Sequence, residues 1–279
     1  MSFANVLVLL LASVLGGTVN SVAGGGSFIT FPTLIYTGVL PIQANATSTT
    51  GLWPASASAA WALRKELAMQ NKMLLLVLGI TSFIGGIGGA ILLLKTPQAT
   101  FTLLIPFLML LATLLFAFSP LVNMRLRQRA EARRKKSAEV AEIPQEGNST
   151  EAAQIGLPWI KLAGLALLQL VIAIYGGYFG GGIGILMLAT LGLMGMENIH
   201  EMNAVKNTLA ACINGLAVIV FVLFGAIDWP GALVMVAGTI VGGFGGAYYA
   251  RKLDPRLVRG FVILVGCVMT VYFFFKYFF

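Results

Sequence analysis

The sequence predicts an all-α integral membrane protein built from two inverted-topology repeats of about five helical segments each, with a Gly-broken hairpin opening each half. The prediction rests on the apolar composition, on three motifs that recur in the second half of the chain, and on the positions of the basic residues. Of the 279 residues, 58% are hydrophobic and only 10% are charged, whereas soluble domains carry about 25% charged residues. Several apolar runs approach the ~20 residues that a helix needs to cross a bilayer.

Three pairs of motifs recur in the same order along the chain. They are GGIGGA from Gly85 and GGFGGA from Gly242, AGGGSF from Ala23 and FGGGIG from Phe179, and NATSTT from Asn45 and NAVKNT from Asn203. Their offsets are 157, 156 and 158 residues, and a nearly constant spacing indicates an internal repeat. The sequence therefore predicts a first membrane repeat over 1–118, a basic linker over 119–157 and a second membrane repeat over 158–279.

Each predicted repeat contains five apolar segments. In the first repeat they cover about 3–20, 27–40, 43–63, 71–94 and 99–118. In the second repeat they cover about 158–178, 183–196, 202–225, 231–250 and 257–275. The second segment of each repeat has about 14 residues, or ~21 Å of helix, which is shorter than a ~30 Å hydrocarbon core. We therefore expect a half-helix or a short, steeply packed span at these two places.

The basic residues predict the orientation of the segments. The linker contains a cluster of arginines and lysines, which are Arg125, Arg127, Arg129, Arg133, Arg134, Lys135 and Lys136. Because cytoplasmic loops are enriched in Lys and Arg, we place the linker in the cytoplasm and both termini outside. Each repeat then opens with a hairpin that enters and leaves on one side, and the two repeats have opposite orientations, as in many secondary transporters.

Glycine triplets mark the point where each hairpin is broken. Unwound backbone is tolerated in a membrane only inside protein or along a water-filled cavity, and a helix that restarts there directs its N-terminal N–H groups toward an anion. This interpretation assigns Gly25, Gly26 and Ser27 in the first break, and Gly181 and Gly182 in the second, to a substrate site. The alternative is that these glycines serve packing alone, which is the preferred interpretation for GGIGGA and GGFGGA.

The NATSTT and NAVKNT clusters supply the remaining candidates for the site. These are Asn45, Ser48 and Thr49 from the first repeat and Asn203, Lys206 and Asn207 from the second. Amides, hydroxyls and one ammonium can donate to an oxyanion, and the acidic residues all lie in or near loops, so the pattern favours an anion over a metal or an amine. For Lys206 the alternative is snorkelling toward the headgroups. No catalytic residue, metal ligand or cofactor is predicted.

The sequence resembles the sulfite exporter TauE/SafE family of membrane permeases. The resemblance lies in GGTVNSVAGGGSFITFPTLIYTGVLPIQANATSTTGLWPASASA in the first half and in YGGYFGGGIGILMLATLGLMGMENIHEMNAVKNTLAACINGLA in the second. Both stretches join a glycine-rich break to an Asn-Ala element after an interval of 15–20 residues. The resemblance implies transport of sulfite, sulfoacetate or another sulfonate, usually outward.

Together these features predict a secondary transporter that moves a small organosulfur oxyanion by alternating access around a pseudo-symmetric midplane site. An anion channel or passive pore is the alternative. We do not expect an enzyme, because one histidine, two scattered cysteines and no carboxylate pair within the apolar segments provide no catalytic cluster. The expected partners are the anionic substrate, the lipid bilayer and, as a possible arrangement, a second copy in a homodimer. Despite a net charge of +8, no nucleic acid is expected, and the expected location is the bacterial inner membrane.

Overall fold

The protein is described here as a computed structural model, which covers residues 2–23, 25–141, 159–194, 196, 198–249 and 255–278. These residues form eleven α-helices and no strand. The helices are α1 (Phe3–Ala23), α2 (Ser27–Tyr36), α3 (Pro41–Ala62), α4 (Arg64–Ala68), α5 (Lys72–Lys95), α6 (Gln98–Ala141), α7 (Trp159–Tyr178), α8 (Ile183–Leu193), α9 (Ile199–Leu223), α10 (Trp229–Tyr249) and α11 (Pro255–Phe278). The predicted all-α class is therefore confirmed.

Most of these helices follow the apolar segments of the sequence. Five contain windows that are long and apolar enough to cross a membrane, namely Phe3–Asn20, Lys72–Lys95, Gln98–Phe118, Glu201–Leu223 and Gly260–Phe278. The helices α2 and α8 have 10 and 11 residues, so neither can span a ~30 Å hydrocarbon core on its own. They lie where the sequence predicts the short second member of each hairpin.

Two stretches differ from the predicted segments. The helix α6 continues from the apolar segment as far as Ala141, so the first part of the expected linker is helical. Residues 121–141 contain neither glycine nor proline and are rich in Ala, Arg, Lys and Glu, which are strong helix formers. The helix α4 occupies the loop expected before α5. The remainder of the linker, 142–157, lies outside the described residues.

Glycines bring two pairs of helices into close contact. A Cβ atom at Gly85 of α5 would lie 2.9 Å from the carbonyl oxygen of Leu170 on α7. A Cβ atom at Gly17 of α1 would lie 2.5 Å from the carbonyl oxygen of Thr239 on α10. Small residues allow such backbone approach in membrane proteins. The packing interpretation of GGIGGA is thereby confirmed, and Gly242 of GGFGGA likewise packs directly against the backbone of Val14.

The helix contacts follow a paired pattern. The contact of α1 with α10 has its counterpart in α7 with α5, and the contact of α3 with α10 has its counterpart in α9 with α5. We call α1, α2, α3 and α10 the first bundle, and α5, α7, α8 and α9 the second bundle. The two bundles meet where α3 packs on α9. The helices α6 and α11 pack on each other, with α6 also touching α8 and α11 also touching α2.

Candidate functional site

The first glycine break separates α1 from α2. Gly25 and Gly26 are both buried, and Gly26 has ordinary helical φ and ψ angles of −58° and −32°. The glycines are required here by close packing rather than by backbone conformation. A Cβ atom at Gly25 would lie 2.9 Å from Val262, and one at Gly26 would lie 2.5 Å from the carbonyl oxygen of Gly16. The start of α2 is therefore packed closely against α1 and α11.

The second glycine break, between α7 and α8, has a different backbone. Gly180 and Gly182 have φ angles of +80° and +77°, a left-handed conformation that disfavours residues with a Cβ atom. The Tyr175 hydroxyl donates a hydrogen bond of 2.8 Å to the carbonyl oxygen of Gly181. Asn45 Nδ2 donates a hydrogen bond of 2.9 Å to the carbonyl oxygen of Tyr178. Two carbonyls at this break are thus covered by donors, one of them from the other half of the chain.

The polar cluster on α3 is mostly buried. Asn45 and Ser48 are 4% and 2% exposed, and Thr49 is half-buried. The Ser48 and Thr30 hydroxyl oxygens lie 2.7 Å apart, which joins α3 to α2. The Thr49 hydroxyl donates to the backbone carbonyl of Asn45 at 2.9 Å. Ser48 and Thr49 therefore bond within the first half, and Asn45 is the member that reaches the second break.

The corresponding cluster on α9 is less buried and contains the lysine. Asn203, Lys206 and Asn207 are all half-buried. Lys206 Nζ donates a hydrogen bond of 3.1 Å to Asn203 Oδ1. The Lys206 stem lies against the first turn of α8, because a Cβ atom at Gly184 would be 3.3 Å from Lys206 Cδ. The lysine stem therefore lies beside Gly184, which is two residues after Gly182 and in the first turn of α8.

A cleft lies between the two breaks, and we call it the interbreak cleft. Its lining residues come from both halves and are Ser27, Phe28, Phe31, Asn45, Met109, Ala112, Phe179 and Gly181. The space between them is too narrow to admit a water molecule. None of these lining residues is charged. Substrate would have to widen this cleft in order to enter it.

The structure distributes the predicted site residues over two neighbouring places. Ser27, Asn45 and Gly181 line the interbreak cleft, whereas Lys206 and Asn203 lie beside α8 on its α9 face. Among the described residues, no hydrogen bond joins the α3 cluster to the α9 cluster. The other predicted glycines are packing positions behind the cleft, and a Cβ atom at Gly182 would lie 3.2 Å from Leu115.

Sequence inspection missed the aromatic part of this site. Phe31 of α2 and Phe179 of the second break meet edge to face, with ring centroids 5.7 Å apart and planes at 88°. Phe28 meets Phe116 of α6 in the same manner at 5.4 Å and 81°. Phenylalanines are frequent in this apolar sequence, and only their immediate proximity to the glycine breaks could have indicated a special position.

The described residues contain no group of three His, Cys, Asp or Glu side chains that could hold a metal ion. The long apolar helices define the class of the protein as a multi-pass membrane protein. The sequence profile described as sulfite exporter TauE/SafE matches residues 9–273. The chain belongs to this family, which is a family of membrane transporters and not of enzymes, and the resemblance seen in the glycine and Asn-Ala motifs is thereby confirmed.

Relatives of nearly full length support this assignment. The chain is 26% identical over 266 residues to the probable membrane transporter protein YfcA of Escherichia coli K12, an alignment that covers 94% of this chain and 87% of the relative. It is 27% identical over 264 residues to a probable membrane transporter protein of Haemophilus influenzae, covering 94% and 92%. It is 26% identical over 275 residues to the probable membrane transporter protein ORF9 of a Sinorhizobium species, covering 97% and 93%. No solved structure matches the chain significantly.

Proposed function

We propose that the protein is a secondary transporter that moves a small organosulfur oxyanion, such as sulfite, sulfoacetate or another sulfonate, outward across the bacterial inner membrane. Membership of the TauE/SafE family supports the substrate class. The interbreak cleft is too narrow for water, which favours a carrier over a pore that is always open. Outward movement of one negative charge is favoured by ~2.3 kcal/mol at an interior potential of −100 mV, so export needs no coupling ion.

The position of Lys206 is the observation that carries the choice of an anion. Its ammonium group has Asn203 Oδ1 as a neutral partner, and its stem packs on Gly184 in the first turn of α8. The N-terminus of a helix is itself a centre of partial positive charge. Among the described residues, no carboxylate forms an ion pair with Lys206. Two positive features placed side by side without a counterion favour a negatively charged ligand.

Alternating access is supported by the pairing of the helices. With the linker in the cytoplasm and both termini outside, the halves 1–118 and 158–279 are inverted repeats. The paired contacts of α1 with α10 and of α7 with α5 are those expected of two halves related by a pseudo-two-fold axis. The α9 cluster, on the cytoplasmic side in this topology, is more exposed than the α3 cluster. This difference is consistent with a conformation closed toward the outside.

Counterflow in proteoliposomes tests the proposed function. Vesicles loaded with unlabelled sulfite or sulfonate should transiently accumulate the labelled anion, because a carrier exchanges substrate and a pore only equilibrates it. Lys206→Met keeps the apolar stem and removes the charge, so the affinity for the anion should fall by about 1.5–3 kcal/mol, the range for a hydrogen bond to a charged group.

The matched control is Lys65→Met, which removes an exposed lysine on α4 and should leave the affinity unchanged. An unchanged affinity in folded Lys206→Met would contradict the role of this lysine and indicate that it snorkels. Flux without counterflow would favour the passive pore.

A further inference from the structure

The interbreak cleft combines a large apolar surface with very few polar groups. Phe28, Phe31, Met109 and Phe179 supply most of its wall, and the first three are at most 2% exposed. Its polar groups are Ser27, Asn45 and the backbone at Gly181. Such a lining is a poor environment for a fully hydrated inorganic ion, whose solvation it cannot replace. It is a favourable environment for hydrocarbon.

The hydrogen bonds around the cleft make it still less polar. The Tyr175 hydroxyl covers the carbonyl oxygen of Gly181 at 2.8 Å, and Asn45 Nδ2 covers that of Tyr178 at 2.9 Å. These carbonyls would otherwise present negative partial charge to a bound anion. The hydroxyl of Ser27 has no hydrogen-bond partner among the described residues, which leaves it as a donor at the start of α2.

The aromatic contact across the cleft joins the two halves of the chain. Phe31 stands on α2 and Phe179 stands in the second break, with their rings edge to face at 5.7 Å. A ligand that enters between the breaks must separate these rings and replace their contact. An alkyl or aryl group can do so by packing against both ring surfaces, whereas a bare oxyanion cannot.

We infer that the transported anion carries an apolar organic segment, and that Phe31, Phe179 and Met109 select for this segment in the interbreak cleft. The inference rests on the proposed function, since it specifies the class of sulfonate. Alkyl- and arylsulfonates satisfy it. Sulfite has no organic segment, and the carboxylate of sulfoacetate, its second charged group, would be placed against phenylalanine side chains.

A series of ligands with increasing hydrocarbon content tests the inference by isothermal titration of the purified full chain. Sulfite, methanesulfonate, ethanesulfonate and propanesulfonate share a sulfur oxyanion and differ in their hydrocarbon. Affinity should increase about fourfold with each methylene group, because burying one contributes about 0.8 kcal/mol. Sulfite should bind most weakly. Phe179→Ala should weaken propanesulfonate about tenfold or more while changing sulfite less than twofold. Phe107→Ala removes a phenylalanine that lies outside the cleft and is 51% exposed. It should leave the increase in affinity along the series unchanged.

The outcomes separate this inference from the proposed function. If sulfite binds as tightly as propanesulfonate, the inference is overturned, even where Lys206→Met weakens the binding of every ligand. If affinity increases along the series and Lys206→Met leaves every affinity unchanged, the inference is supported and the role of the lysine is contradicted. Failure of folded wild-type protein to bind any member overturns both. Phe31→Leu serves as a second variant if Phe179→Ala does not fold, and it should likewise reduce the preference for propanesulfonate over sulfite.

Discussion

Gly182 is the residue at which the second break depends most directly on the absence of a side chain. Gly182 directly precedes α8 and has a φ angle of +77°. A Cβ atom there would lie 3.2 Å from Leu115. Left-handed backbone costs residues with a Cβ atom roughly 1–2 kcal/mol. Gly182→Ala should therefore lower the thermal unfolding temperature and reduce transport, both measurable on purified and reconstituted protein.

The control for this substitution is Gly79→Ala in α5. Gly79 lies inside a helix, and a Cβ atom there would meet no other atom within 4 Å. Alanine stabilises such a helix position by roughly 0.5–1 kcal/mol, so this variant should unfold at the same or a higher temperature. Equal stability of the two variants would show that the second break relaxes without cost.

The residue types of the candidate site could be predicted from the sequence, but their contacts could not. Glycine triplets and Asn-Ala motifs are visible as repeated patterns, and Ser27, Asn45 and Gly181 do meet at one cleft. The sequence does not show that Asn45 bonds to the carbonyl of Tyr178, 133 positions away. It also does not show that Lys206 packs on Gly184, because that contact depends on how α8 folds back against α9.

Among the helices, the contact of α5 with α7 offers a sharp comparison between adjacent glycines. A Cβ atom at Gly89 would overlap the backbone of Ile174, whereas one at Gly88 would meet nothing within 4 Å. Gly89→Leu should force the two helices apart and destabilise the protein by about 1–3 kcal/mol, the usual cost of overpacking. Gly88→Leu should be tolerated. The difference is measured as the thermal unfolding temperature in detergent. The monodispersity of each sample is measured as well.

Both substitutions add the same side chain one position apart on the same helix. Helix propensity therefore cannot account for a difference in stability between the two variants. Equal behaviour of the two variants would contradict the close contact of α5 with α7. A second adjacent pair, Gly242 and Gly243 on α10, has the same division between a packed and an open position and should respond in the same way.

Element boundaries were predictable where the apolar runs are long. Close matches are α5 (Lys72–Lys95) and α7 (Trp159–Tyr178), whose ends all lie within one residue of the predicted segments. The helix α4 has only five residues and therefore produces no periodic signal. The continuation of α6 to Ala141 was obscured by its charge, because basic residues that mark a cytoplasmic segment are also good helix formers.

At the scale of the whole molecule, the proposed topology predicts which loops face the cytoplasm. In a chain with Cys212 and Cys267 replaced by alanine, Trp229→Cys should react with a membrane-impermeant maleimide on intact cells, because the proposed topology places the start of α10 outside. Lys65→Cys on α4 should react only after the membrane is permeabilised. Both positions are exposed, so accessibility within the protein does not limit either reaction. The reverse labelling pattern would contradict the inverted orientation.

The contacts between helices also predict which parts of the protein move together. Each bundle mixes helices from both halves of the chain, since α10 packs with α1 and α3, and α5 packs with α7 and α9. We therefore expect the bundles, and not the sequence halves, to move as units about the contact of α3 with α9. Spin labels can distinguish these motions at four exposed positions, which are Leu7, Leu76, Leu167 and Leu233.

Pairs of labels within one bundle should keep their distance when sulfite or propanesulfonate is added, and pairs across the bundles should change by several ångströms. Leu7 with Leu233 and Leu76 with Leu167 are the pairs within bundles, although each joins opposite halves of the sequence. Leu7 with Leu76 is the pair across the bundles, although both lie in the first half. If the sequence halves moved as units, Leu7–Leu76 would stay constant and Leu7–Leu233 would change. If ligand changed none of the three distances, alternating access would be wrong and the passive pore would be favoured, because a carrier must expose its site to the two sides in turn.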